Sequence, residues 1–223
     1  MAITSDLLSI GADTDFEDFE ITEEMRVTLY DITKVLNIYQ SAMKEVLTKL
    51  EILDMEFSSL YNHNPIHHTE HRVKSQMSII KKMKNKGIET TSEMLANIMD
   101  IAGVRVVCPY IDDVYTLADM LISQSDIKLV RKSDYIKEPK ENGYRSLHLI
   151  VSVPVFFSSS TEQVLVEIQL RTIAMDMWAS LEHEIKYKGS REISEKDVGE
   201  LKICAEMLHS VDSTMQNIYK HNG

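Results

Sequence analysis

Apolar and polar positions divide the chain into helical and strand-like segments. From Thr22, Met25, Leu29, Ile32, Leu36, Tyr39, Met43, Val46, Leu50, Leu53 and Phe57 recur in steps of four and three. This heptad stripe predicts one helix longer than most globular helices. It suits a helix lying across a domain and a helix meeting a partner subunit equally well. Pro65, within Asn62 to His68, stops the pattern. Thr69 can then cap a second helix to about Lys86, with Val73, Met77, Ile80 and Met83 inward and Lys74, Ser78, Lys81, Lys82 and Asn85 on another face. Thr90 and Glu93 form a capping box for a short helix ending near Asp100.

Strand-like patterning follows. Asp100 stands at the mouth of a buried strand through Cys108, whose small residues Ala102 and Gly103 allow close approach. A helix from about Asp112 to Ser123 and a strand from about Ile127 to Lys132 come next. Asn142-Gly143 is a turn signal, since both residues tolerate positive φ. In the strand after it, Tyr144, Ser146 and His148 share one face, and Arg145, Leu147, Leu149, Val151 and Val153 the other. Ser158 to Ser160 mark a loop. From Gln163 to Arg171 the alternation sends Val164, Val166, Ile168 and Leu170 to the core and Glu167, Gln169 and Arg171 to the opposite face. Thr172 caps a helix with Ala174, Trp178, Leu181 and Ile185 as its stripe. A Ser194/Asp197 capping box opens a last helix carrying Leu201, Ala205, Leu208, Val211, Met215 and Ile218. Without a strict βαβ alternation, these elements predict an α+β fold, one mixed β-sheet surrounded by helices. The expected organisation is a flexible acidic tail (1–22), a main domain including the long helix (23–190) and a C-terminal helical extension (191–223).

Composition narrows the function. The 223 residues are 43% hydrophobic, enough for one sizeable core, and carry a net charge of −11. An acidic chain is not a general DNA, RNA or membrane-surface binder, so any polyanion must meet a local basic pocket. Arg72, Lys74, Lys81, Lys82, Lys84 and Lys86 supply one, although solvated lysines explain such a face too. Cys108 and Cys204 form no framework and are expected as free buried thiols. With no membrane span and no signal-peptide layout at the N-terminus, a cytoplasmic protein is expected. His67, His68 and His71 fit a solvated cluster better than a zinc site, because no third ligand type completes a motif. His183-Glu184 is no zincin, because Tyr187 stands at the second histidine position.

The remaining polar groups suggest a two-nucleotide site. Asp100 and Glu167 at strand ends can share a hard cation such as Mg²⁺ with substrate phosphates. Arg72 and Arg105 can stack on a base, and Tyr144 offers a second stacking surface. Each carboxylate taken singly is more often structural. Together the groups suggest phosphoryl-type transfer driven by positioning and charge neutralisation. There is no P-loop or kinase glycine loop.

The strings HRVKSQMSIIKKM, DIAGVRVVC, DYIKEPKENGYRSLHLIV and VEIQLRTIAMDMWASLEHEIKYK, in order over roughly residues 60–190, resemble the synthetase domain of RelA/SpoT-type alarmone enzymes. The length resembles the stand-alone small alarmone synthetases, and the lead-in YNHNPIHHTEHRVKS is closer to the RelP-type branch than to the RelQ-type. The resemblance implies transfer of the ATP β,γ-pyrophosphate to the 3′-hydroxyl of GTP or GDP, giving (p)ppGpp and AMP, in a homotetramer. Residue by residue it implies Asp100 as Mg²⁺ ligand, and Glu167 as a second group at the metal and candidate base. Arg72 and Arg105 would clamp adenine, with Lys74, Ser78 and Lys82 on the ATP phosphates. Tyr144 would stack on guanine, with Lys140, Arg145, His148 and Gln169 around the acceptor and Asp176 near the guanine edge. Relatives commonly carry basic residues where Asn85 and Ser133 stand; Lys84, Lys86 and Lys132 are the neighbouring cations. Another nucleotidyltransferase-like enzyme and a non-catalytic nucleotide sensor are the competing readings.

Overall fold

A computed structural model of the protein describes residues 23–88, 98–188 and 194–222. The expected tail (1–22), the Thr90/Glu93 capping box with its short helix, and the side chains of Met25 and Leu29 lie outside the described residues.

The described elements are α1 (Glu23–Leu60), β1 (His68–Val73), α2 (Gln76–Lys86), β2 (Ala102–Cys108), α3 (Ile111–Ile122), β3 (Lys128–Asp134), β4 (Leu147–Phe156), β5 (Thr161–Thr172), α4 (Ile173–Lys188) and α5 (Glu195–Asn222). The strands form one sheet in the order β1-β2-β5-β4-β3. Only β2 and β5 pair in parallel; the other pairs are antiparallel, so the sheet is mixed, as the α+β expectation requires.

Alternation decides which face becomes core. Val104, Val106, Leu149, Val151, Val166, Ile168 and Leu170 turn to one side, where α1 and α3 cover them. Ile32, Val35, Tyr39, Ala42, Met43, Val46 and Leu50 of α1 are buried there, so the heptad stripe is consumed inside the domain over these residues. The other face carries a row in register, Glu70–Arg105–Gln169–His148–Ser133, and beside it Arg72–Gly103–Glu167–Ile150–Arg131. Polar groups from five strands thus share one side of the sheet.

Several local expectations change. Thr69 caps no helix: His68 to Val73 pair with β2, and the N-cap of α2 is Ser75, whose hydroxyl accepts from the Ser78 backbone N–H. Arg72 therefore sits on a strand, and Lys74 between strand and helix. Of the residues expected inward, Met83 is buried and Val73 and Ile80 pack half-buried against the core, joined by Ile79, while Met77 is exposed. β4 starts at Leu147, leaving Tyr144 and Arg145 in the loop before it. Thr172 does cap α4, accepting from the Met175 backbone N–H at 3.2 Å. Along α4 the buried side chains are Met175, Trp178 and Ala179; Leu181 and Ile185 face outward. The Ser194/Asp197 box forms, with the Asp197 N–H donating to Ser194 Oγ and the Ser194 N–H to Asp197 Oδ2. On α5 the buried residues are Ala205, Asp212 and Gln216, with Val211, Met215 and Ile218 exposed. Cys108 is buried, but Cys204 is exposed, because its helix packs through a different side. Among the described residues no helix is long and apolar enough to cross a membrane.

Candidate active site

An open cleft over the polar face is bounded by Glu70, His71, Arg72, Asp100, Gly103, Arg105, Glu167 and Gln169. Gly103 lies between Arg72 and Glu167 in the strand register and leaves the floor low. A methyl group there would meet nothing closer than the Arg72 carbonyl at 4.0 Å, so a side chain would occupy cleft space.

One end of the cleft is cationic around a carboxylate. Lys82 Nζ donates to both Asp100 oxygens, at 2.6 and 2.7 Å, and Lys74 Nζ lies 3.2 Å from Oδ2. Burial would raise the pKa of Asp100, but the hydrogen bonds and charges of the two lysines outweigh it and hold the carboxyl below its ordinary range. Ser78 is exposed on α2, its hydroxyl bonded to Ser75 Oγ at 2.9 Å.

The other end is a hydrogen-bonded ring. Tyr144 Oη meets His148 Nε2 at 2.8 Å, and His148 Nδ1 meets Glu167 Oε1 at 3.1 Å. Gln169 Nε2 donates to Glu167 Oε2 at 3.0 Å. Arg171 Nη2 donates to both Gln169 Oε1 (3.0 Å) and Tyr144 Oη (2.6 Å), closing the ring. Burial pushes the Glu167 pKa up; the bonds from His148 and Gln169 more than offset this and leave it lowered. Asp100 acts on Glu167 through its charge, so the two carboxylates belong to one electrostatic site. Lys140 Nζ stands 4.7 Å from the Tyr135 ring centre and 4.9 Å from that of Tyr144, a cation between two aromatic faces.

Between the ends, Arg105 Nη1 bonds Glu70 Oε2 at 2.8 Å and lies 3.3 Å from Asp176 Oδ1, which also takes Arg171 Nη1 at 3.2 Å. Asp176 is thereby held by two guanidinium groups. Arg145 takes a separate course: its Nη1 donates to the Ile136 carbonyl at 2.8 Å, and its charge is felt by His209 of α5. The histidine trio divides, with His67 Nδ1 2.7 Å from His68 Nδ1 while His68 offers a nitrogen within 4.8 Å of ligand atoms of Glu70 and Asp176. The structure thus brings Asp100, Lys74 and Lys82 together at one end and Tyr144, His148, Glu167 and Gln169 at the other. Arg171 belongs with the second group, although strand alternation alone marks it only as a neighbour of Glu167 and Gln169.

The Tyr144 end rests on the C-terminal helices. Gly143 adopts φ +90°, and a methyl group on it would stand 2.6 Å from Ala205 Cβ of α5. Trp178 Nε1 donates to the Leu201 carbonyl at 2.8 Å, and Asn142 Nδ2 to Glu182 Oε1 at 3.1 Å.

Comparison with known proteins gives this arrangement a family. Residues 71–192 match the family model described as the region found in RelA/SpoT proteins. The chain is 44% identical to the GTP pyrophosphokinase YwaC of Bacillus subtilis, over 91% of this chain and 98% of that protein. It resembles the crystal structure of small alarmone synthetase 2 from Bacillus subtilis at 43% identity and a TM-score of 0.78, covering 86% of this chain and 99% of that one. Small alarmone synthetase 1 of the same organism, bound to its product pppGpp, matches at 36% identity and a TM-score of 0.80, over 86% and 98%. The higher identity to synthetase 2 agrees with the RelP-type lead-in. Matched along nearly the whole length of its relatives, the chain belongs to the RelA/SpoT family and, within it, to the small alarmone synthetases.

Proposed function

We infer that the protein is a GTP pyrophosphokinase. It transfers the β,γ-pyrophosphate of ATP to the 3′-hydroxyl of GTP or GDP and so makes pppGpp or ppGpp, with AMP as the second product. The observation that carries this reading is the division of one cleft into a lysine-rich end and a Tyr144–His148–Glu167 end, in a chain similar over nearly its full length to a GTP pyrophosphokinase.

The residues divide the work by chemistry. Arg72 and Arg105 present guanidinium planes able to stack on adenine. Lys74 and Lys82, with Ser78 at the start of α2, suit the donor phosphates. Tyr144 supplies the stacking face for guanine, with Lys140, His148, Gln169 and Asp176 as polar neighbours and Arg145 bracing the loop that carries the ring. Asp100 and Glu167 are hard oxygen donors coupled through their charges, which fits a Mg²⁺ ion; bound there, it would neutralise charge on the donor phosphates. The 3′-oxygen forms a bond to the β-phosphorus and the bond to the α,β-bridging oxygen breaks, releasing AMP. The hydroxyl proton passes to a Glu167 oxygen, and the lowered pKa of that carboxyl keeps it ionised, so that both oxygens can accept.

We further infer that the enzyme acts in the cytoplasm as a homotetramer, with 23–190 as the synthetase domain, 191–223 as a helical extension and 1–22 as a tail. Exposed stripes on α4 (Ile173, Met177, Leu181, Ile185) and α5 (Met207, Val211, Met215) support contact between copies. The decisive test of the reaction is product mass from ATP, GTP and Mg²⁺. A guanosine nucleotide heavier by a pyrophosphoryl group supports this reading. A gain of a nucleotidyl group would identify a nucleotidyltransferase, and binding without turnover a sensor.

A further inference from the structure

We propose that Arg171 is the positioning residue of the acceptor half-site: its Nη2 sets the direction of every hydrogen bond that holds Glu167. The catalytic consequence rests on the pyrophosphokinase reading; the hydrogen-bond direction does not.

Donor and acceptor counts set the directions. Arg171 is 4% exposed, and a guanidinium can only donate. Nη2 reaches Gln169 Oε1 at 3.0 Å, so the Gln169 amide must turn its NH₂ towards Glu167 Oε2, also 3.0 Å away. The same nitrogen reaches Tyr144 Oη at 2.6 Å. That oxygen accepts from Arg171, so its own hydrogen is available to His148 Nε2 at 2.8 Å. Nε2 is then the acceptor, and the imidazole carries its hydrogen on Nδ1, which faces Glu167 Oε1 at 3.1 Å. Both arms run from the cation to the carboxylate without a mismatched pair. Each Glu167 oxygen takes one neutral donor and keeps lone-pair capacity for the cleft.

Arg171 is itself fixed. Nη1 bonds Asp176 at 3.2 Å, and Nε bonds Ser146 Oγ at 3.4 Å, which in turn donates to the Leu170 carbonyl. Without the guanidinium, the Gln169 amide can flip, the Tyr144 hydroxyl can rotate and His148 can hold its hydrogen on either nitrogen. The orientation of Glu167 and that of the Tyr144 ring would then loosen together. Among the described residues, the lysine end bonds within itself, Lys82 and Lys74 to Asp100.

The test uses the full chain labelled with ¹⁵N-histidine, at mildly alkaline pH, with the His148 resonances identified by their loss in His148→Gln. In the unsubstituted protein, Nδ1 of His148 is expected to be pyrrole-type and Nε2 pyridine-type. In Arg171→Gln, and in Tyr144→Phe, which removes a single oxygen and spares the fold, the two nitrogens are expected to average towards a mixture. A hydrogen resident on Nε2 in the unsubstituted protein, or an unchanged pattern in both variants, would overturn the proposal. Kinetics supply the second arm. Arg171→Gln should lower turnover about 10–100-fold, the usual effect of losing a partner that orients a reacting group, while affinity for a non-hydrolysable ATP analogue stays the same. Arg171→Lys, keeping one donor, should fall between. Parallel loss of turnover and ATP-analogue affinity would reduce Arg171 to a fold-stabilising residue. Should the unsubstituted protein transfer no pyrophosphate, the functional reading fails, yet the ¹⁵N pattern still decides the hydrogen-bond direction.

Discussion

Lys82 and Asp100 are bonded to each other through both carboxylate oxygens, at 2.6 and 2.7 Å. The lysine assigned to the donor phosphates and the carboxylate assigned to the metal are therefore paired with each other. Binding of a metal–nucleotide complex must exchange this pair: cation for Lys82 at Asp100, phosphate for Asp100 at Lys82. It follows that Asp100→Asn should bind metal-free ATP more tightly than the parent while losing Mg²⁺-dependent turnover. The gain should be about fivefold, matching the ~1 kcal/mol ceiling of a partly exposed ion pair. Calorimetry in a chelating buffer measures it; weaker metal-free binding in Asp100→Asn would contradict the exchange.

The same pair makes stability depend on pH. The Asp100 carboxyl lies below its ordinary value of 3.8 in the folded protein, through Lys82 and Lys74. Its contribution is therefore present above pH 3.8 and disappears as pH falls through the lower folded value. Asp100→Asn should be less stable than the parent near neutrality by about 1 kcal/mol, with the difference closing in acid. Urea unfolding at several pH values reads this, and a constant difference across the range would assign the effect to something other than ionisation.

Tyr144 should act on one nucleotide only. Tyr144→Ala is expected to weaken the guanine nucleotide by about 1–3 kcal/mol, the usual value of a base–aromatic stack, with ATP-analogue binding unaltered. Titration of each nucleotide separately checks this. Unaltered guanine affinity would return the ring to a packing role against Trp178 and Tyr135, whose centroids lie 6.5 and 6.1 Å away.

Gly143 links this loop to the C-terminal helix. Its φ of +90° disfavours any side chain, and an added methyl meets Ala205 Cβ at 2.6 Å and Lys202 Cα at 3.3 Å. Gly143→Ala should cost about 1–3 kcal/mol and raise the Michaelis constant for the acceptor. Ala205→Gly in the same chain should recover part of the stability, because it removes the closest contact but not the backbone strain. An unfolding midpoint indifferent to both substitutions would refute the packing account.

Much of this arrangement was legible from residues with two-faced patterns. β5 declared itself because Val164 to Leu170 alternate with Glu167 and Gln169, a period that only a half-buried strand satisfies. β1 did not, because as an edge strand it buries little: His68 and Val73 are half-buried and the four residues between are exposed. What makes it a strand is pairing with β2, whose partner residues lie 29 (Val73 to Ala102) to 39 (His68 to Val107) positions away, which no local signal carries. The stripes holding Leu181, Ile185 and Val211 are legible as apolar faces, but a helical stripe does not say what covers it, and these residues are exposed. Arg171 shows a different limit. Alternation sets it beside Glu167 and Gln169, but its role depends on Tyr144 and Asp176 arriving from a loop and a helix.

The bond of ATP that breaks defines the reaction. The most direct measurement incubates the protein with Mg²⁺, GTP and ATP labelled at the β-phosphorus, alongside Glu167→Gln. Pyrophosphoryl transfer predicts the label in the guanosine product, unlabelled AMP in equal amount, and no turnover by Glu167→Gln although it binds both nucleotides. Label released as free pyrophosphate, with the adenosine moiety joined to the acceptor, would contradict the account.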